Sequence, residues 1–248
     1  MNTSNYDVAL DWATDLYGSP NFLEFWFPRH HFIEAERGES WMSATRTDKD
    51  KRYGMAIGEG AQPNPAWNHF SFSAHADQSL IDSSHFKHDG GWIAYVIRTD
   101  LFAHQPSLET LGEEESWDEI NSFLETHFPD ASVKAGNPEV QTWPVLRGNG
   151  SELLAVGALS LWESGALAAN SIGVNSTQRG QGIGKRYVEG MIATAHHLGY
   201  KTLCLGVYNK NIAGIKLYES VGFTRVDEFF HYTEVDDTEK RRNRPVRD

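Results

Sequence analysis

The chain has 248 residues, 40% hydrophobic and 12% aromatic, enough for one large or two small domains with a substantial core. With 22 basic against 34 acidic side chains its formal net charge is −12, which argues against general nucleic-acid binding, since that rests on neutralising phosphates. The single cysteine, Cys204, excludes an intramolecular disulfide or a cysteine-rich metal centre; no apolar run reaches membrane-span length and the opening MNTSNYDVALDWA carries no leader pattern, so a cytoplasmic protein without a membrane partner is expected.

A short helix is predicted over 8–17, followed by the aromatic cluster Phe22-Leu-Glu-Phe-Trp-Phe27, which Pro28 ends. Strands are predicted over 40–47, 53–57, 68–74 and 91–97, with turns at Gly58-Glu-Gly60 and Pro63-Asn-Pro65. The third of these alternates His69, Phe70, Ser71 and Phe72, the pattern of a strand with one wet face. His30, His31, His69, His75, His85 and His88 follow no ligand spacing, and no metal is expected. From 101 to 137 a linker leads into a helix. Glu113, Glu114 and Glu115 suit its N-terminal end, and Trp117, Ile120, Phe123, Leu124 and His127 make one apolar stripe. Consecutive strands over 141–146, 152–162 and 166–174 are joined by turns at Arg147-Gly-Asn-Gly150 and Glu163-Ser-Gly165.

Gly180, Gly182 and Gly184 then alternate between a strand end and an amphipathic helix, whose apolar positions are Ile183, Tyr187, Val188, Met191, Ile192, Ala195 and Leu198, with Gly199 as its natural stop. Alternating glycines turn tightly and bare their N–H groups, and the helix adds the positive end of its dipole, so an anion is expected there. The charge agrees. Between residues 173 and 216, Arg179, Lys185, Arg186, Lys201, Lys210 and Lys216 face a single acid, Glu189, in an otherwise acidic chain. A P-loop is excluded, because three residues rather than four separate Gly180 from Gly184 and Arg186 follows Lys185. The dinucleotide fingerprint is excluded as well, because Lys185 or Tyr187 stands where its last glycine belongs. Strands over 203–207 and 227–233 complete the pattern; Cys204, inside the first, reads as a core residue rather than a reactive thiol.

The loop does fit Arg-x-x-Gly-x-Gly, with Arg179, Gly182 and Gly184 preceded by Gln178. Downstream, Asn211 is followed seven residues later by Tyr218 and then by Gly222-Phe223. Together these resemble the two signatures of the GNAT acyltransferase superfamily, over roughly residues 141–233. The resemblance implies an α/β (α+β) fold, a mixed, mostly antiparallel twisted sheet flanked by helices. It implies N-acyl transfer by direct attack, with acetyl-CoA as cosubstrate, an amine as acceptor and no metal. By the same resemblance Arg179, Gly180, Gln181, Gly182, Ile183, Gly184 and Lys185 would hold the pyrophosphate. Ile172, Val174 and Asn211 would hold the pantetheine arm, and Tyr218 would be the general acid. Tyr218 reads equally as an aromatic packed on the sheet. Asn211 reads equally as a helix N-cap, and Asn209 could take either part.

The base is not specified by the pattern. Ala168, Ala169, Asn170 and Ser171 stand where some relatives carry a glutamate, which leaves Glu163, a water relay or a residue of the first half. The missing glutamate supports a rival reading, a catalytically silent acyl-CoA-binding regulator, whereas the acidic balance favours a cationic acceptor. Residues 1–105 are expected to form an N-terminal α/β half, either independent or a degenerate second copy that has lost its loop. Residues 106–235 are expected to be the acyltransferase domain, and 236–248, with its basic run Lys240-Arg-Arg-Asn-Arg-Pro-Val-Arg247, a disordered charged tail. Nothing in the pattern fixes an oligomeric state.

Overall fold

The computed structural model describes residues 1–17, 21–48, 50–161 and 167–235. The tail over 236–248 and the turn containing Glu163 lie outside the described residues. The chain opens with a short strand β1 (Asn2–Thr3) and helices α1 (Tyr6–Tyr17) and α2 (Asn21–Trp26). Leu23 and Phe27 are both fully buried, one helical turn apart, so the aromatic cluster coils to put them on one side. Strands β2 (Phe32–Arg37), β3 (Met42–Asp48), β4 (Lys51–Ile57), β5 (His69–Ser73) and β6 (Phe86–Arg98) follow. Then come β7 (Glu109–Leu111), α3 (Trp117–His127), β8 (Val140–Arg147), β9 (Leu153–Leu161) and β10 (Leu167–Val174). The chain continues with α4 (Ile183–His197), β11 (Thr202–Tyr208), α5 (Ile212–Val221) and β12 (Thr224–Glu234). Gly199 ends α4 as expected, at φ 91°, with the Tyr200 N–H returning to the carbonyl of Ala195. The glutamates before α3 lead instead into a 3-10 turn, Glu114–Ser116. No helix among the described residues is long and apolar enough to cross a membrane.

Among the described residues the strands form one mixed, mostly antiparallel sheet in the order β1-β2-β3-β4-β5-β12-β6-β11-β10-β9-β8-β7. Two runs repeat the same arrangement. The strands β2-β3-β4 form an antiparallel meander with β5 parallel to β4, and β8-β9-β10 form another with β11 parallel to β10. Each run takes its next neighbour from the other: β6 lies antiparallel to β11, β12 lies antiparallel to β5, and β6 and β12 pair at the centre. The ladder therefore continues across residue 105, with long-range pairs such as Leu205–Tyr95 and His231–Ser71.

Helices α4 and α5 cover one face, over Ile93, Tyr95, Leu203, Leu205 and Val207. On the other side of β6 and β11, α1 and α2 pack over Ala94 and Phe229, while α3 packs on Trp143, Val145 and Val156. Between β10 and β11 stands α4, but between β4 and β5 runs an irregular connection whose Trp67 is buried against Gly54. A Cβ on Gly54 would fall 2.0 Å from that indole, so the ring occupies the space a side chain would need.

Candidate active site

Parallel strands β10 and β11 pair at Ala168 and Cys204, and beyond that pair they enclose the mouth of a cavity. A register shift in β10 between Asn170 and Gly173 accompanies the break. Ser171 sits inside it at φ 50°, uncommon for a residue with a Cβ. Its hydroxyl accepts from the Val133 N–H and donates to the Val133 carbonyl, both at 2.8 Å, fixing the shifted segment to the chain that follows α3. Ser171→Ala is expected to cost about 1–3 kcal/mol, because both backbone groups of Val133 lose a partner in a partly buried place. Chemical denaturation reads this as a lower midpoint with an unchanged slope.

Beyond the shift, the Asn175 N–H bonds to the Leu154 carbonyl of β9. Strand alternation then turns the backbone groups of Val174 to the edge away from β9, while Ile172, inside the shifted segment, lines the gap beside β11. The gap opens into a cavity of about 480 Å³. Ala169, Leu205, Val207 and Tyr218 line it from the face that α4 and α5 cover. Trp26, Trp92 and His231 line it from the other side, where Gly206 leaves room for both indoles. The cavity thus crosses the sheet.

The glycine loop lies at the α4 side of this passage. Asn175 accepts from the N–H and hydroxyl of Thr177 and caps a 3-10 turn, Ser176–Gln178. Gly180 and Gly182 then take φ of 82° and 77°, the left-handed region that favours glycine. A Cβ at either would meet nothing within 4 Å, so torsion rather than crowding calls for glycine there. Gly182 stands at the cap of α4 with its carbonyl accepting from the Arg186 N–H, and the amides of Ile183, Gly184 and Lys185 have no carbonyl one turn back. The Ile183 side chain is buried, so its amide is what it offers the loop. Gly184 packs closely, since a Cβ would come within 3.3 Å of Leu217. No acid occupies the first turn of α4; Lys185 and Arg186 do, opposing the helix dipole, an arrangement that an incoming anion relieves. Gln181 is exposed, and Lys185 reaches toward Glu189 at 4.0 Å.

Arg179 also makes a contact within the protein. Its guanidinium donates to the His127 carbonyl at 3.0 Å, and His127 Nδ1 also takes the Ser176 N–H at 3.3 Å, so the loop is braced on the C-terminal end of α3. Asn211 caps α5 by accepting from the Gly214 N–H at 2.9 Å and also lines the cavity. Asn209 donates its backbone N–H to the Gly91 carbonyl, and the side chain that caps α5 is that of Asn211. Tyr218 is buried with its ring against Tyr95 and Phe223. Its hydroxyl has no hydrogen-bond partner among the described residues, and burial pushes the phenol well above its ordinary range. Cys204, at the base of the splay, is buried and its thiol is pushed up to about 12, chiefly by desolvation, which leaves it a core residue rather than a nucleophile.

Sequence reasoning missed the far wall of the cavity. Trp26, Tyr53, Ser71, Asp89 and Trp92 of the first half meet there with His231 of β12. The hydroxyl of Ser71 is their hub. It lies 2.8 Å from the Tyr53 hydroxyl, 3.0 Å from the donating Trp92 Nε1 and 3.5 Å from His231 Nδ1.

A splayed parallel pair, a glycine loop opening a helix on one face and a cavity passing to the other define an acyltransferase fold of the GNAT type. Residues 104–223 match the family model described as the acetyltransferase (GNAT) family, and this stretch is a GNAT acetyltransferase domain. Similar solved structures extend the likeness of fold to nearly the whole chain. A GCN5-related N-acetyltransferase from Sphaerobacter thermophilus superposes with a TM-score of 0.57 at 12% identity, over 94% of this chain and 95% of that one. One from Kribbella flavida gives 0.55 at 11%, over 82% and 89%, and a GNAT-family acetyltransferase from Colwellia psychrerythraea gives 0.53 at 13%, over 95% and 99%. A comparison with curated protein sequences finds no match.

Proposed function

We propose that the protein is an N-acyltransferase that moves an acetyl group from acetyl-CoA to an amine by direct attack. The observation that carries this is the cavity crossing the sheet beside the parted strands, with an anion-ready loop opening α4 on one face and a polar and aromatic wall on the other. The amides from Gln181 to Lys185 suit a pyrophosphate, and the unpaired edge at Ile172 and Val174 suits an amide-bearing arm laid along it as a strand would be. Acetyl-CoA supplies the activated acyl group. Attack by the amine nitrogen forms the C–N bond while the C–S electron pair leaves on sulfur. Tyr218 holds its proton at neutral pH and gives it to that thiolate. Asn211 fixes the start of the helix that carries Tyr218.

On the far side the described lining includes the carboxylates of Asp89 and Asp130 and no lysine or arginine, which fits an acceptor that carries positive charge. We read residues 1–105 as a degenerate copy that kept the meander and the parallel strand, lost the loop and helix between them, and now supplies the acceptor wall. Residues 106–235 are then the catalytic domain. The test is calorimetry with acetyl-CoA followed by thiol release with a panel of cationic and neutral amines. One site per chain and turnover with cationic amines are expected. Two equivalent sites would overturn the degenerate copy, and binding without turnover on any amine would mean a silent acyl-CoA sensor.

A further inference from the structure

We propose that His231 is the general base, taking the proton of the attacking amine on Nε2 from the side of the sheet opposite Tyr218. This rests on the acyl-transfer reading above. Strand β12 comes late in the sequence but lies beside β5, with His231 opposite Ser71, so the ring stands in the cavity wall that the first half builds. Of the groups lining the cavity, the Asp89 and Asp130 carboxylates are suited to holding cations, and the phenols of Tyr53, Tyr208 and Tyr218 are suited to donating hydrogen bonds. Among the described lining residues, the imidazole of His231 is the group whose chemistry suits this task.

The hydroxyl of Ser71 accommodates the tautomer that this role requires. It must accept from Trp92 Nε1, which can only donate. If it gives its own hydrogen to the Tyr53 oxygen at 2.8 Å, its remaining lone pair takes the Nδ1–H of His231, a long contact of 3.5 Å that leaves Nε2 as the acceptor. Such contacts tighten when substrate binds. The groups facing the ring are His69 and Ser71 from β5, Tyr53 from β4, and His88, Asp89 and Trp92 from β6. Burial lowers the imidazole's affinity for a proton and His88 adds to this, while Asp89 opposes it, and the lowering dominates. His231 is thus neutral at pH 7. In the reaction the amine proton passes to Nε2 as C–N forms and C–S breaks, and sulfur takes the Tyr218 proton. The resulting imidazolium and phenolate return to rest through solvent, leaving an amide and the free thiol.

Two variants test this with acetyl-CoA and the best amine of the panel. In the parent, kcat/KM should show a rising limb with a midpoint below the usual ~6.5 of histidine, because only the neutral ring accepts, on top of the separate rise to higher pH that comes from the amine's own deprotonation. His231→Gln should lower kcat by about 10²–10⁴-fold, abolish that rising limb and leave acetyl-CoA affinity unchanged. His231→Ala should regain part of its rate when imidazole is added, which a purely structural residue would not do. Should the alanine variant fail to fold, the pH profile of the glutamine variant decides. A glutamine variant that keeps the parent rate, or that keeps the limb, overturns the assignment. A parent protein that binds acetyl-CoA yet acylates no amine fails earlier and differently, and overturns the acyl-transfer reading and the role of His231 with it.

Discussion

Gly182→Val is expected to abolish acetyl-CoA binding in a protein that still folds. The left-handed conformation at Gly182, φ 77° and ψ 0°, costs an ordinary L-residue about 1–2 kcal/mol, and a β-branched one more. Nothing lies within 4 Å of the position a Cβ would take, so the protein does not resist the side chain by contact. The loop relaxes instead by moving Gly182 to negative φ, which swings the amides that open α4 away from their common target. Hydrogen bonds to a charged group are worth about 1.5–3 kcal/mol each, so losing two or three of them exceeds ~100-fold in affinity. Gly182→Asn is the control, since asparagine tolerates the left-handed region and should retain much of the binding. Calorimetry on both folded variants checks this, and unchanged affinity in the valine protein would remove the loop from the cofactor site.

What the sequence revealed is what local pattern encodes. The glycine spacing, the apolar stripe of α4 as far as Ala195 and the Asn211 cap are each written within about fifteen residues and recur in the structure, whereas the wet face expected of β5 does not, because Ser71 and Ser73 are fully buried beside Phe70 and Phe72. The strand Phe32–Arg37 escaped because Glu34, Glu36 and Arg37 interrupt its apolar signal and only Ala35 is buried. Pairing is a different matter, because every amphipathic strand presents the same period and nothing in Phe86–Arg98 announces that its neighbours are β11 and β12. For that reason the far wall was invisible. His231 and Ser71 are 160 residues apart, and their meeting depends on the strand exchange rather than on either segment. Arg179 is the complementary case, where the motif places the residue in the loop but says nothing of the His127 carbonyl that its guanidinium meets.

Tyr218→Phe should lower kcat by about 10²–10⁴-fold while fold and acetyl-CoA affinity stay as they are. The ring is buried against Tyr95 and Phe223, and phenylalanine keeps both contacts. Among the described residues the hydroxyl has no partner, so its removal strands no buried donor or acceptor, and thermal denaturation should change little. Tyr95, whose hydroxyl donates to Glu219 at 2.8 Å, lacks that freedom, which separates the two neighbouring phenols chemically. A general acid acts only while protonated. Because burial raises the Tyr218 phenol, its protonated form persists through neutral and mildly alkaline pH, and no falling limb from this group should appear there. The loss should lie in kcat more than in KM for acetyl-CoA, since the proton is needed as the thiolate departs rather than when the thioester binds. If Tyr218→Phe turns over an accepted amine at the parent rate, with the chemical step shown to be rate-limiting, the hydroxyl has no part in the reaction and the thiolate takes its proton from solvent.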